Sequence, residues 1–87
     1  MMTEKSVTIV NELGLHARPA ADFVGFIKTF DNKVTLIKDN KAANAKSILH
    51  VLSLKLVQGA TCVVRVEGDN AEEVLEKIER FIAELKE

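Results

Sequence analysis

The spacing of apolar positions changes several times along the chain, and each change marks an element. From Lys5 to Val10 apolar residues alternate, with Val7 and Ile9 on one side, which predicts a strand. Asn11 to Arg18 breaks the alternation and reads as a loop, with Gly14 supplying conformational freedom. Pro19 suits a first helical turn, where N–H groups have no partner anyway. Ala20, Phe23, Val24, Ile27 and Phe30 then recur at helical spacing, which predicts an amphipathic helix over 17–29. A proline pushes its predecessor away from helical angles, so Arg18 is expected just outside the regular helix.

A second strand is predicted over Lys33 to Lys38, a turn at Asp39-Asn40, and a short third strand over Ala42 to Ala45. Ser47 precedes Ile48, Leu49, Val51, Leu52 and Leu54, and its oxygen can accept from free N–H groups as a helix N-cap. Gly59 closes this short helix region. Thr61 to Glu67 alternates again, with Cys62, Val64 and Val66 on one face. Gly68-Asp69-Asn70 turns the chain, and Asn70 with Glu73 has the spacing of a capping box. Ala71, Val74, Leu75, Ile78, Ile82 and Leu85 form the clearest helical stripe. One-sided strands with one-striped helices imply an α+β fold, a four-stranded antiparallel sheet with three helices on one face.

Length places all of 1–87 in one domain. The single cysteine excludes a disulfide framework, and on its strand face Cys62 is expected to be a small core residue. No apolar run is long enough for a membrane span, and the first residues lack a signal pattern, so a cytoplasmic protein without membrane association is expected. The net charge of −1 weighs against a nucleic-acid binder. It hides an asymmetry. Residues 13–59 hold seven Lys/Arg and three acids, a net +4, whereas 60–87 hold four bases and eight acids, a net −4. The first segment therefore suggests a cationic face for acidic partners or phosphate.

Few residues can carry chemistry: two histidines, one cysteine, and no glycine-rich nucleotide loop. His16 stands out because it lies in Gly14-Leu15-His16-Ala17-Arg18-Pro19-Ala20, at the mouth of the first predicted helix. A helix N-terminus offers free N–H groups and partial positive charge to an anion. Arg18 adds a forked donor for phosphate oxygens. A neutral imidazole nitrogen is a nucleophile, so the combination suits reversible capture of a phosphoryl group. Nothing in the sequence suggests a nucleotide, metal or other cofactor site, so the chain is expected to receive and donate the group and not to act as an enzyme by itself.

The Gly14–Ala20 motif, with its His-Ala-Arg-Pro core, resembles the active site of the HPr family. These are the histidine-containing phosphocarriers of the bacterial phosphoenolpyruvate-dependent sugar phosphotransferase system. The resemblance extends over essentially the whole chain and includes Asn44-Ala45-Lys46-Ser47-Ile48-Leu49. It implies an open-faced β-sandwich. It implies that His16 is phosphorylated on Nδ1 by phosphorylated enzyme I and passes the group to a sugar-specific enzyme IIA. It also implies that Ala17 and Arg18 stabilise the phosphate. In low-GC Gram-positive relatives the matching serine is phosphorylated by an HPr kinase/phosphorylase, creating a signal for a catabolite-control transcription regulator, so Ser47 is a candidate regulatory site.

Ile48, Leu49, Val51, Leu52 and Leu54 are too many for one face of a short helix, so some are expected to be exposed. The resemblance makes Ile48, Leu49 and Leu52 candidates for partner docking, with Lys46, Lys28 and Arg18 as steering cations. His50 and Lys55 stand where relatives usually carry other residues, Gly in many cases at the second position. If Lys55 takes positive φ, the cost is about 1 kcal/mol. A monomer is expected. The rival readings are a nitrogen-branch carrier, a regulatory paralogue acting by protein binding, and a small module for a metabolite or RNA. Scarce aromatics weigh against RNA, and His16 with His50 alone would make a weak metal site.

Overall fold

The computed structural model describes residues 1–87. In chain order the elements are β1 (Met2–Thr8), α1 (Ala17–Ile27), β2 (Lys33–Lys38), β3 (Lys41–Asn44), α2 (Ile48–Ser53), β4 (Thr61–Glu67) and α3 (Ala71–Ala83). The four strands form one antiparallel sheet in the order β1-β4-β2-β3. Alternation decides its faces. Val34, Leu36, Val64 and Val66 are buried under the helices, with Cys62 beside them. Thr35, Ile37, Val63 and Arg65 belong to the opposite, open face, where Arg65 Nε donates to Glu4 Oε2 at 2.8 Å.

The helices bury the stripes read from their sequences. Pro19, Ala20, Phe23, Val24 and Ile27 of α1 are buried, as are Ala71, Val74, Leu75, Ile78 and Ile82 of α3. The two helices meet through aromatic rings, with Phe26 stacked on Phe81 at 4.5 Å between centroids and Phe23 tilted against Phe81 at 6.2 Å. Cys62 is buried as expected.

Four local expectations are corrected. β1 runs over Met2–Thr8, not Lys5–Val10, because all seven residues of β4 find partners there, Met2↔Glu67 through Thr8↔Thr61. Its early helix-side position is polar, since Lys5 pairs with Glu79 of α3 at 3.3 Å, so apolar alternation was a poor guide to its start. β3 begins at Lys41, directly after an Asp39-Asn40 turn with both residues at positive φ, the geometry of a tight hairpin. Asn70 forms no capping box. The turn after Gly68 puts it at φ 57° and ψ 31°, and its side chain makes no capping bond, although its carbonyl accepts from Val74 N at 3.0 Å. Arg18 lies inside the first turn of α1, and the irregular residue is Ala17, at φ 51°.

Candidate functional site

The loop between β1 and α1 is pinned at several points. Ile9 N donates to Ala60 O at 2.8 Å, and Gly59 N returns a bond to Ile9 O at 2.8 Å. The buried Asn11 closes a tight turn, its Nδ2 donating to Gly14 O at 2.9 Å while Gly14 N donates to Asn11 O at 3.1 Å. Gly14 holds φ 65°, and a Cβ there would run into the Leu56 carbonyl, so both conformation and space demand glycine. Leu15 is then buried as a plug, its N–H bonded to Leu56 O at 2.8 Å. With its neighbour anchored, His16 emerges into solvent in a defined place.

His16 is the N-cap of α1, with extended backbone at φ −139° and ψ 157°. Its ring makes no capping hydrogen bond and is exposed. The N–H groups of Ala17 and Arg18 have no backbone acceptor, Pro19 has no N–H, and no acid occupies the first turn. The positive end of the helix dipole thus meets no acid from its own first turn. The exposed Arg18 makes no ion pair. An exposed ring nitrogen, two free N–H groups and a free guanidinium can accept an electrophilic phosphorus and hold its oxygens.

Helix α2 closes the other side. Ser47 is its N-cap and accepts from His50 N at 3.4 Å, as the sequence predicts. Lysines from the β2–β3 hairpin cap its far end: Lys38 Nζ donates to Leu54 O at 3.1 Å and Lys55 O at 3.0 Å, and Lys41 Nζ donates to Ser53 O at 3.2 Å. This places Leu52 and Lys55 with His16 around a recess of about 400 Å³. Lys55 does take positive φ, at 52°.

Ile48 and Leu49 are exposed, Leu49 at 75%, while Val51 and Leu54 are buried and Leu52 is half-buried. Lys46 Nζ is engaged, donating to Phe30 O at 2.7 Å. Lys28 is exposed at the end of α1. Ser47 thus lies toward the C-terminal end of α1, whereas His16 begins that helix and neighbours the end of α2. The length of α2, roughly 10 Å at 1.5 Å per residue, separates the two. His16 and His50 line different recesses, His50 beside Lys33, Asn44 and Lys46. A site using both imidazoles does not form.

Lys55 and Val57 join Leu13 and His16 of the loop through tertiary structure alone. No motif joins them, although the conditional strain at Lys55 was a signal. The acidic C-terminal segment does not stay apart either, since Glu84 and Glu87 share a recess with Pro19 and Asp22 at the start of α1.

An open-faced sandwich carrying an exposed imidazole at a bare helix start defines the class of small histidine carriers. A family model described as "PTS HPr component phosphorylation site" matches residues 3–84. The phosphocarrier protein HPr of Vibrio cholerae is 40% identical over 84 residues, covering 97% of this chain and 99% of the relative. The HPr-like protein Crh of Halalkalibacterium halodurans is 40% identical over 81 residues, covering 93% and 96%. The crystal structure of a phosphocarrier protein HPr from Bacillus anthracis superposes with a TM-score of 0.88 at 39% identity, covering 92% of this chain and 95% of that one. The chain belongs to the HPr family of phosphocarriers of the phosphotransferase system.

Proposed function

We propose that this protein accepts a phosphoryl group on His16 from phosphorylated enzyme I and passes it to a sugar-specific enzyme IIA. The observation that carries the reading is the exposed His16 ring beside two unbonded N–H groups and the free Arg18 guanidinium. The lone pair of a neutral ring nitrogen forms the new P–N bond. The bond from phosphorus to the donor breaks, and its electron pair stays on the donor. The other ring nitrogen keeps its proton. Ala17 N–H, Arg18 N–H and the Arg18 guanidinium hold the phosphate oxygens, and transfer to enzyme IIA runs the same step in reverse. Exposed Ile48 and Leu49 and half-buried Leu52 supply the apolar part of the docking face, with Arg18 and Lys28 as free cations around it. Lys46 contributes by fixing α2 against the end of α1. The protein works as a monomer in the cytoplasm, where its partners present soluble domains. No helix is long and apolar enough to cross a membrane.

The test is incubation with phosphoenolpyruvate and enzyme I. Wild type should take up acid-labile, base-stable phosphate, and His16→Ala should take up none. Label retained by His16→Ala would end the reading.

A regulatory role for Ser47 is favoured by its place as the half-buried N-cap of α2, where its oxygen already accepts from His50 N. A dianion at the start of α2 is held favourably there and repels acidic partners from the shared docking face. An HPr kinase/phosphorylase with ATP should place acid-stable phosphate on Ser47 and slow transfer through His16. If no such phosphate forms, the regulatory role is lost while the carrier role stands.

A further inference from the structure

The recess beside His16 holds a cation that the phosphoryl-acceptor arrangement does not use. Lys55 lines it together with Leu13, Leu52 and Val57, and no carboxylate borders it. The Lys55 ammonium makes no ion pair. Its backbone is held at φ 52°, a conformation that glycine takes freely and other residues resist. Three hydrogen bonds fix it there. Lys55 N donates to Leu52 O at 3.2 Å, and Lys55 O accepts from Val57 N at 3.0 Å and from Lys38 Nζ at 3.0 Å. An unpaired lysine on strained, hydrogen-bonded backbone thus borders, next to His16, a recess whose lining holds no acid.

On the reading that His16 carries the phosphoryl group, we infer that Lys55 is a phosphate-binding residue of the loaded state. Phosphorylation brings about two negative charges to His16. Arg18 and the first N–H groups meet them from the α1 side, and Lys55 meets them from the α2 side. The flexible four-carbon stem lets the ammonium follow a phosphate oxygen when one is present and return to water when it is not. The carrier is thereby biased toward its loaded form, and the bias weakens with salt because the ammonium is solvent-exposed.

The experiment is the equilibrium ratio of phosphorylated to free protein, with enzyme I and a fixed mixture of phosphoenolpyruvate and pyruvate, at low and high salt. Wild type is compared with Lys55→Gln, Lys55→Gly and Lys55→Arg. The Gly variant removes the backbone strain together with the charge, so folding is not at issue. Both neutral variants should lower the ratio by roughly 2- to 5-fold at low salt. They should converge on wild type at high salt, and Arg should restore the ratio. Equal ratios in wild type and both neutral variants overturn the inference, even where the KM for enzyme I changes. No phosphate on wild type overturns the His16 reading and this inference together.

Discussion

Ala17 and Lys55 hold φ of 51° and 52° on the two sides of His16. Left-handed backbone costs a non-glycine residue about 1 kcal/mol, and here it is tolerated because the flanking chain is pinned. The Leu56 carbonyl receives Leu15 N, and the Lys55 carbonyl receives the Lys38 ammonium. At the opposite extreme is Cys62, a side chain with no reactive prospect. Burial pushes its thiol up from 9.0 to about 11, opposed by the nearby Lys38 charge. The folded state thus prefers the neutral thiol. Its contribution to stability is full below pH 9.0 and is lost as pH rises toward about 11, because the unfolded thiol ionises first. Denaturant unfolding of wild type minus Cys62→Ala should show that loss between those pH values. A flat difference would mean that the thiol is not desolvated.

At the scale of elements, the short α2 is held at both ends by side chains from elsewhere. Lys46 reaches Phe30 O near its start, and Lys38 and Lys41 cap its end. Lys38→Met should cost about 1–2 kcal/mol in denaturant unfolding, since charged donors leave two carbonyls. It should also weaken phosphoryl transfer, because the segment it holds is the one that positions the His16 loop. Stability and transfer both at the wild-type level would show that the clamp is idle. Such clamps explain what was legible in the sequence. The stripes of α1 and α3 and the alternation of β2 and β4 are local patterns, and β2 and β4 formed where their period placed them, while α1 ends at Ile27 and not at 29, and Leu85 falls just beyond α3. The motif around His16 was equally local. The start of β1 was hidden because its register comes from pairing with β4 across 61 residues, as in the Glu4–Arg65 contact. The Asn70 cap failed because turn geometry overrode a side-chain spacing. Lys55 and Val57 could not be joined to His16 from sequence, since only the folded chain brings them together.

For the whole molecule, the sheet is a platform and the site sits at one edge of the helical layer. Charge does not divide the surface as simply as it divides the sequence. The acidic final segment folds back to the start of α1, and Leu13 N donates to Glu87 O. On the proposed reading, the attraction for a phosphoryl group therefore comes from the few groups immediately around the ring and not from a cationic face at large. With two histidines in the chain, the most direct test is site-resolved NMR of the imidazoles after phosphorylation by enzyme I and phosphoenolpyruvate. The account predicts phosphorus coupled to the His16 ring and an unchanged His50 ring. Phosphorus on His50, or on neither ring, would contradict it.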